Sequence, residues 1–336
     1  MPVHGIRPSG LPKELPLSAS SPQRPIVFNH VPKCAGTSVR NAIIAALPPD
    51  ATTVYRVDVS LVGGYDRFDA LRPRAAATFV HSPEEMPLGA ELVTGHVAPG
   101  TTRPRYDERQ EVTVLRHPGL RLLSQWVHSR ALSDFDLRHF GHAGSTAFRV
   151  ARGRLGDYLE HAMIAPNIDN TITRFLTWPH PRISPTAFIE ERHDEEILDA
   201  ALASIDRFDH VGLVEDPRFL ERLGSAVGLT LADTRLNERR SVPRARRPHM
   251  SAELAGRTEE LLARRTRLDE QLWIHVARRA MPDVEPEHVL KLTWERALQR
   301  YDAALTAPYE TRPVRRAAEL VYGAYAAARG LRRPWF

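Results

Sequence analysis

The stretch Pro25-Ile-Val-Phe-Asn-His30-Val-Pro-Lys33-Cys34-Ala35-Gly36-Thr37-Ser38-Val-Arg-Asn-Ala-Ile-Ile44 reads as a buried strand, a tight loop and the start of a helix. Ile26 to Phe28 form a short apolar run suited to a central strand. Gly36 offers a flexible turn, and Thr37 and Ser38 offer capping hydroxyls ahead of the apolar positions Val39, Ala42 and Ile43. A helix start of this kind attracts anions, because its unpaired amides converge and its dipole is positive there. Lys33 adds a full cation beside the same point.

That lysine stands out by composition. Of 46 basic residues only Lys13, Lys33 and Lys291 are lysines; the rest are arginines. A compact ammonium on a flexible stem follows charge as it develops on a leaving oxygen, whereas the guanidinium fork suits a static phosphate. The spacing is not that of nucleotide triphosphatases, which require Gly-x-x-x-x-Gly-Lys-[Ser/Thr]. Here the lysine precedes the glycine and reaches a ligand from the strand side.

A second segment has related form: Glu111-Val-Thr-Val-Leu-Arg116-His-Pro118-Gly-Leu-Arg121-Leu-Leu-Ser124-Gln-Trp126. Val112 to Leu115 read as a strand, Arg116 stands at its carboxyl end, Pro118 suits a first helical turn, and Ser124 lies about two turns further on. Arg121 is expected either beside the same phosphate or on the exposed face, and Trp126 in the core.

With His-Val-Pro-Lys-Cys-Ala-Gly-Thr-Ser in the first segment and Arg116 and Ser124 in the second, the chain resembles the sulfotransferases that use 3′-phosphoadenosine 5′-phosphosulfate. The likeness is closest to the carbohydrate O-sulfotransferases that include heparan sulfate 2-O-sulfotransferase. It implies that Lys33, Cys34, Ala35, Gly36, Thr37 and Ser38 bind the 5′-phosphosulfate and that Arg116 and Ser124 bind the 3′-phosphate. It also implies a catalytic histidine in a Gly-His motif between these segments, and His96 in Glu91-Leu-Val-Thr-Gly95-His96 falls there.

An alcohol acceptor must lose its proton as the new bond to sulfur forms, and an imidazole with a pKa near 6.5 suits that task. The expected reaction is in-line displacement: His96 takes the proton, Lys33 and the loop amides stabilise the departing adenosine 3′,5′-bisphosphate, and no metal is required. His30 and His117 are rival histidines with structural posts, the first ending a strand and the second preceding a proline. Glu91 and Glu215 are fallback bases. Cys34, the sole cysteine, sits where a thiolate would be stabilised, but direct transfer needs no thiol, so it is read as a small loop residue. No His or Cys spacing matches a zinc site.

The expected fold class is α/β, a P-loop-like, mainly parallel central sheet flanked by helices, with a largely helical C-terminal region. Residues 1–24, rich in Pro and Ser, are expected to form a flexible arm; 25–336 form one domain, with a donor-binding core over 25–227 and a basic loop plus helices over 228–336. Runs at Ala51–Val59, Ala77–His81 and Phe208–Glu215 read as strands. Asn167–Leu176, Glu190–Ile205 and Pro217–Val227 read as helices.

The absence of a long apolar stretch argues against a membrane segment, and the single cysteine agrees with a reducing compartment, so a cytoplasmic, bacterial-type member is expected. With net charge +5, the basic loop Thr234–Arg247 suits an acidic partner or closure over the donor, and residues 133–156 are expected to shape the acceptor pocket. The acceptor itself is expected to be a glycan or small hydroxylated molecule. The alternatives are a magnesium-dependent phosphotransferase or triphosphatase, which lacks its loop here, and an Arg-rich nucleic-acid binder, for which no recognition module is present.

Overall fold

The fold is described from a computed structural model, for residues 24–62, 77–137, 145, 148–232, 242, 247, 250–306 and 321. Six strands make one parallel sheet: β1 (Ile26–Asn29), β2 (Thr53–Asp58), β3 (Phe79–Val80), β4 (Leu92–His96), β5 (Gln110–Leu115) and β6 (His210–Leu213), in the spatial order β3-β2-β4-β1-β5-β6. The central strands are buried along most of their length, with apolar Ile26 to Phe28, Leu92, Val93, Val112, Val114 and Leu115 at their core.

Helix α1 (Gly36–Ala46) follows β1, and α2 (Pro118–Ala131) follows β5. Val39 and Ile43 of α1 pack on Ile26 and Phe28, together with Leu223 and Val227 of α5 (Phe219–Val227). Each such side chain contributes roughly 1.5–3 kcal/mol by leaving water. The helix stops at Leu47, whose extended backbone suits the residue before Pro48. Leu122, Leu123 and Trp126 of α2 enter a separate core cluster with Leu155, Tyr158 and Leu262.

Between these lie α3 (Thr171–Thr177) and α4 (Asp194–Ile205), and the chain continues into α6 (Arg257–Ala280) and α7 (Pro286–Thr306). The α6 side chains Leu268, Leu272, Trp273 and Val276 follow helical spacing and are buried. Asp269 on the same helix accepts the amides of Ile172 and Thr173 at 3.1 and 2.8 Å, which closes the start of α3. Burial pushes the Asp269 carboxyl up to about 6 despite these bonds.

The expected α/β class, parallel sheet and helical C-terminal region are all present. The expected helix over Asn167–Leu176 is broken at Asn170, which adopts φ 45° and exchanges hydrogen bonds with α6: its amide donates to the Arg265 carbonyl and its Oδ1 accepts from the Leu268 amide. In the segment 77–81 the strand itself is only Phe79 and Val80, with the Thr78 carbonyl also accepting from the Val57 amide at 2.8 Å. The arm, most of the 234–247 loop and part of 133–156 lie outside the described residues.

This strand order fixes where a ligand can sit. The chain leaves β1 for β2 on one side and leaves β5 for β6 on the other, yet β1 and β5 are neighbours. Their carboxyl ends therefore open a crevice between diverging loops, the location ligands occupy in open α/β sheets.

Candidate active site

The loop from His30 to Ala35 leaves β1 at that crevice. Lys33 and Ala35 both adopt left-handed backbone, with φ 69° and 59°, although neither is glycine. Each such residue costs on the order of 1–3 kcal/mol. Left-handed residues alternating with their neighbours curl successive amides around a concavity that suits an anion. The Cys34 amide is already used, donating to Val31 O at 3.2 Å, and those of Ser38 and Val39 donate to Ala35 O. The amides of Ala35, Gly36 and Thr37 have no partner among the described residues and head an eleven-residue helix whose first turn holds no acidic side chain. Thr37 and Ser38 do not cap that helix, as the sequence had suggested; they stand inside its first turn, and its capping position is Ala35.

Gly36 is glycine for a different reason from the one anticipated. Its φ is not among the positive values, but a Cβ there would lie 1.8 Å from Cδ2 of His30. The imidazole of His30, itself 7% exposed, fills the space a side chain would take. It stacks on Phe28, with ring centroids 5.7 Å apart and planes 8° from parallel.

His96 ends β4, next to β1 in the sheet. The His30 amide donates to Gly95 O at 2.9 Å, and Nδ1 of His96 lies 2.8 Å from His30 O. A carbonyl only accepts, so Nδ1 of His96 carries the hydrogen and Nε2 keeps its lone pair. Nε2 has no hydrogen-bond partner among the described residues. Gly95 makes this possible, since its φ of 140° is open to glycine and a Cβ would strike Arg56 O at 1.8 Å. Burial holds the His96 pKa below the ordinary imidazole value; the bond to His30 O opposes this and the Lys33 ammonium reinforces it.

Arg116 follows β5 and donates from Nη1 to the carbonyl of Lys33 at 3.4 Å, joining the two sequence motifs. Behind it, Glu215 accepts from the His117 amide at 3.0 Å and from Nε1 of Trp273 at 3.2 Å. Burial raises the Glu215 pKa, with the His117 amide and Arg116 acting in the opposite sense. His117 caps α2: Nδ1 accepts from the Leu120 amide at 3.5 Å while Nε2 donates to Leu290 O at 3.1 Å, and burial pushes its pKa down to about 4.

Lys33 is thus the common neighbour of His96 and Arg116. Ser124 lies half-buried in the middle of α2, and its side chain makes no hydrogen bond among the described residues, to Arg116 or otherwise. Cys34 is fully buried with Val31, Leu115 and Phe175, and burial pushes its thiol up to about 12, so its side chain faces no ligand. Arg121 is not on the exposed face: it is 1% exposed, donates to Asn167 O, lies close enough to Arg116 and Cys34 to interact with both electrostatically, and leaves Nη1 without a partner among the described residues. Of the fallback bases, Glu91 precedes β4 at the opposite sheet edge and accepts the Thr52 amide, whereas Glu215 is at the right edge but already engaged.

Two nearby residues carried no signal in the sequence. Tyr55 on β2 meets His96 edge-on at 6.3 Å, and the Arg40 guanidinium lies 5.4 Å from the Tyr55 ring centre. Only the register that sets Tyr55 opposite Thr94 reveals the first.

Two cavities among the described residues lie elsewhere. One of about 490 Å³ is lined by Arg103, Trp178, Ser204 and Arg207, and one of about 340 Å³ runs along β6 beside Arg279. Neither includes Lys33, His96 or Arg116. Anion binding by backbone amides depends on their convergence rather than on enclosed volume, and that places the candidate site at the β1–β5 crevice. No protein-family model matches the chain, and no curated protein matches it. No described helix is long and apolar enough to cross a membrane.

Proposed function

We propose that the protein transfers a sulfuryl group from 3′-phosphoadenosine 5′-phosphosulfate to a hydroxyl of a glycan or small acceptor. The observation that carries this reading is the gathering of groups around Lys33: the neighbouring amides of Ala35, Gly36 and Thr37, unpaired among the described residues, Arg116 bonded to the Lys33 carbonyl, and His96 near enough for the Lys33 ammonium to lower its pKa. The donor supplies an activated sulfur and a good leaving group. Its polyanionic form suits a helix start without carboxylates and flanked by two cations.

In this reading the open amides and Lys33 hold the 5′ end and meet charge as it gathers on the bridging oxygen, where such donors accelerate the step most. Arg116 holds the 3′-phosphate and so aligns the donor. Ser124 is assigned to the same phosphate through the family resemblance alone. Nε2 of His96 accepts the acceptor's proton, while Nδ1–H stays bound to the His30 carbonyl and keeps the ring in its basic tautomer. Cys34 and Ser38 contribute loop shape, since their amides are engaged within the loop. A cytoplasmic setting belongs to the same proposal.

The test is release of adenosine 3′,5′-bisphosphate from the donor in the presence of mixed hydroxylated acceptors. Wild-type protein should release it faster with acceptor than without, and His96→Ala protein should not. Equal release by both would end the assignment of His96 as base. Use of magnesium-ATP instead would point to phosphoryl transfer.

A further inference from the structure

We infer that His30 is a positioning residue that couples the anion cradle to the base, its ring wedged between Gly36 and His96 and its main chain clamped to Gly95 and His96. This deepens the sulfuryl-transfer reading and rests on it for the role of His96.

Five contacts carry the inference. The ring occupies the place of a side chain at Gly36, the residue that opens α1 and supplies one of the unpaired amides. On its other side it meets the His96 ring with centroids 4.5 Å apart at 45°. Phe28 stacks on it from within β1, which fixes its plane. Its amide and carbonyl bond to Gly95 O and to His96 Nδ1, so β1 and β4 move together at this point. Displacement of Gly36 by a bound anion is therefore passed through one rigid ring to the base, and a shift of the base is passed back to the cradle.

Charge favours a neutral spacer here. The groups facing the two histidines are Lys33 from the loop, Arg40 from α1 and Tyr55 from β2, and no carboxylate is among them. Burial, with His96, Arg40 and Lys33 adding to it, holds His30 well below the ordinary imidazole range. Its buried Nδ1 has no hydrogen-bond partner among the described residues, so the ring acts through its shape and its contacts rather than through a hydrogen-bonded network.

The experiment is a titration of imidazole ¹⁵N signals in wild type, His30→Ala and His30→Phe, each also assayed for bisphosphate affinity and transfer. Wild-type His96 should show a hydrogen on Nδ1 and a midpoint below 6.5. In His30→Ala, whose main-chain carbonyl still accepts from Nδ1, the tautomer should persist but loss of the covering ring should let the midpoint rise toward 6.5, with transfer reduced about tenfold or more and bisphosphate affinity changed less than about threefold. His30→Phe, which keeps a flat ring in the wedge, should recover most of the transfer and the low midpoint. An unchanged His96 midpoint and unchanged transfer in folded His30→Ala would overturn the inference.

If His30→Ala does not fold, Gly36→Ala tests the same wedge from the opposite side. It should shift the His96 signals and weaken bisphosphate binding, because the added Cβ and the His30 ring cannot share that space. Unchanged His96 signals in Gly36→Ala would equally overturn it. The wild-type tautomer is read without any donor, so failure of bisphosphate binding would sink the sulfuryl-transfer reading while leaving this coupling separately tested.

Discussion

Arg116 donates to the main-chain carbonyl of Lys33 across 3.4 Å, so the residue ending one strand of the crevice is tied to the loop that leaves its neighbour. The two halves of the proposed anion site are thereby joined by a hydrogen bond. Arg116→Ala should weaken binding of adenosine 3′,5′-bisphosphate by about 10- to 100-fold, the scale of a charged hydrogen bond of about 1.5–3 kcal/mol. Arg116→Lys should recover only part of this, because a point charge cannot reproduce the fork. Unchanged affinity in Arg116→Ala, by calorimetry, would remove the 3′-phosphate assignment.

Lys33→Ala should separate binding from chemistry. Three loop amides remain to hold the product, so affinity for the bisphosphate should fall by no more than about tenfold, while transfer should fall by about 100-fold or more, the scale set by loss of one preorganised donor at the developing charge. Parallel losses in both would make Lys33 a uniform binding group.

His96→Ala should cost about 10²–10⁴-fold in transfer with donor affinity nearly intact. Because burial keeps the His96 pKa below 6.5, its basic form should predominate across neutral pH, and the rate should decline only as acid protonates it below that value. A rate that declines with an apparent pKa above 7 would contradict this environment.

Acid should also unsettle the fold. His117, pushed down to about 4, binds its proton in the unfolded chain between about pH 6.5 and 4 but not in the native one, so stability falls as pH drops through that window, by up to about 3 kcal/mol. His30 and His96 act with the same sign. Asp269, pushed up to about 6, acts oppositely below that pH, because the native state binds its proton first. Between about pH 7 and 6 the histidines should dominate. Urea midpoints should fall over this range in wild type and fall less in His117→Asn, which keeps a capping side chain. Equal slopes would remove His117 from the account.

Cys34 should behave as a core residue. Its burial and its pKa of about 12 predict that an aromatic disulfide reagent at pH 8 labels the native protein orders of magnitude more slowly than the urea-unfolded chain. Rapid native labelling would mean that the loop opens readily.

The sheet was legible because its strands are short apolar runs ending in punctuation that physics makes unambiguous: Gly36 after β1, Pro118 after β5, Gly95 within β4. The cradle's location followed from the same runs. Its geometry did not, since nothing in Lys33 or Ala35 announces a left-handed backbone, and the surrounding fold imposes it. Gly36 was seen but given the wrong reason, because the ring it accommodates is brought there by the loop's path. Tyr55 and Arg40 depend on the β2–β4 register and on which face of α1 turns toward it. The break at Asn170 is set by α6, about a hundred residues downstream, and leaves no trace in the local pattern.

The most direct test of the central claim is calorimetric titration of the intact protein with adenosine 3′,5′-bisphosphate and, at matched ionic strength, with ATP plus magnesium. A cradle of open amides, Lys33 and Arg116 built for a donor phosphorylated at both ends predicts selective binding of the bisphosphate without metal, weakened by Arg116→Ala. Preference for magnesium-ATP, with the bisphosphate bound no better than free phosphate, would contradict it.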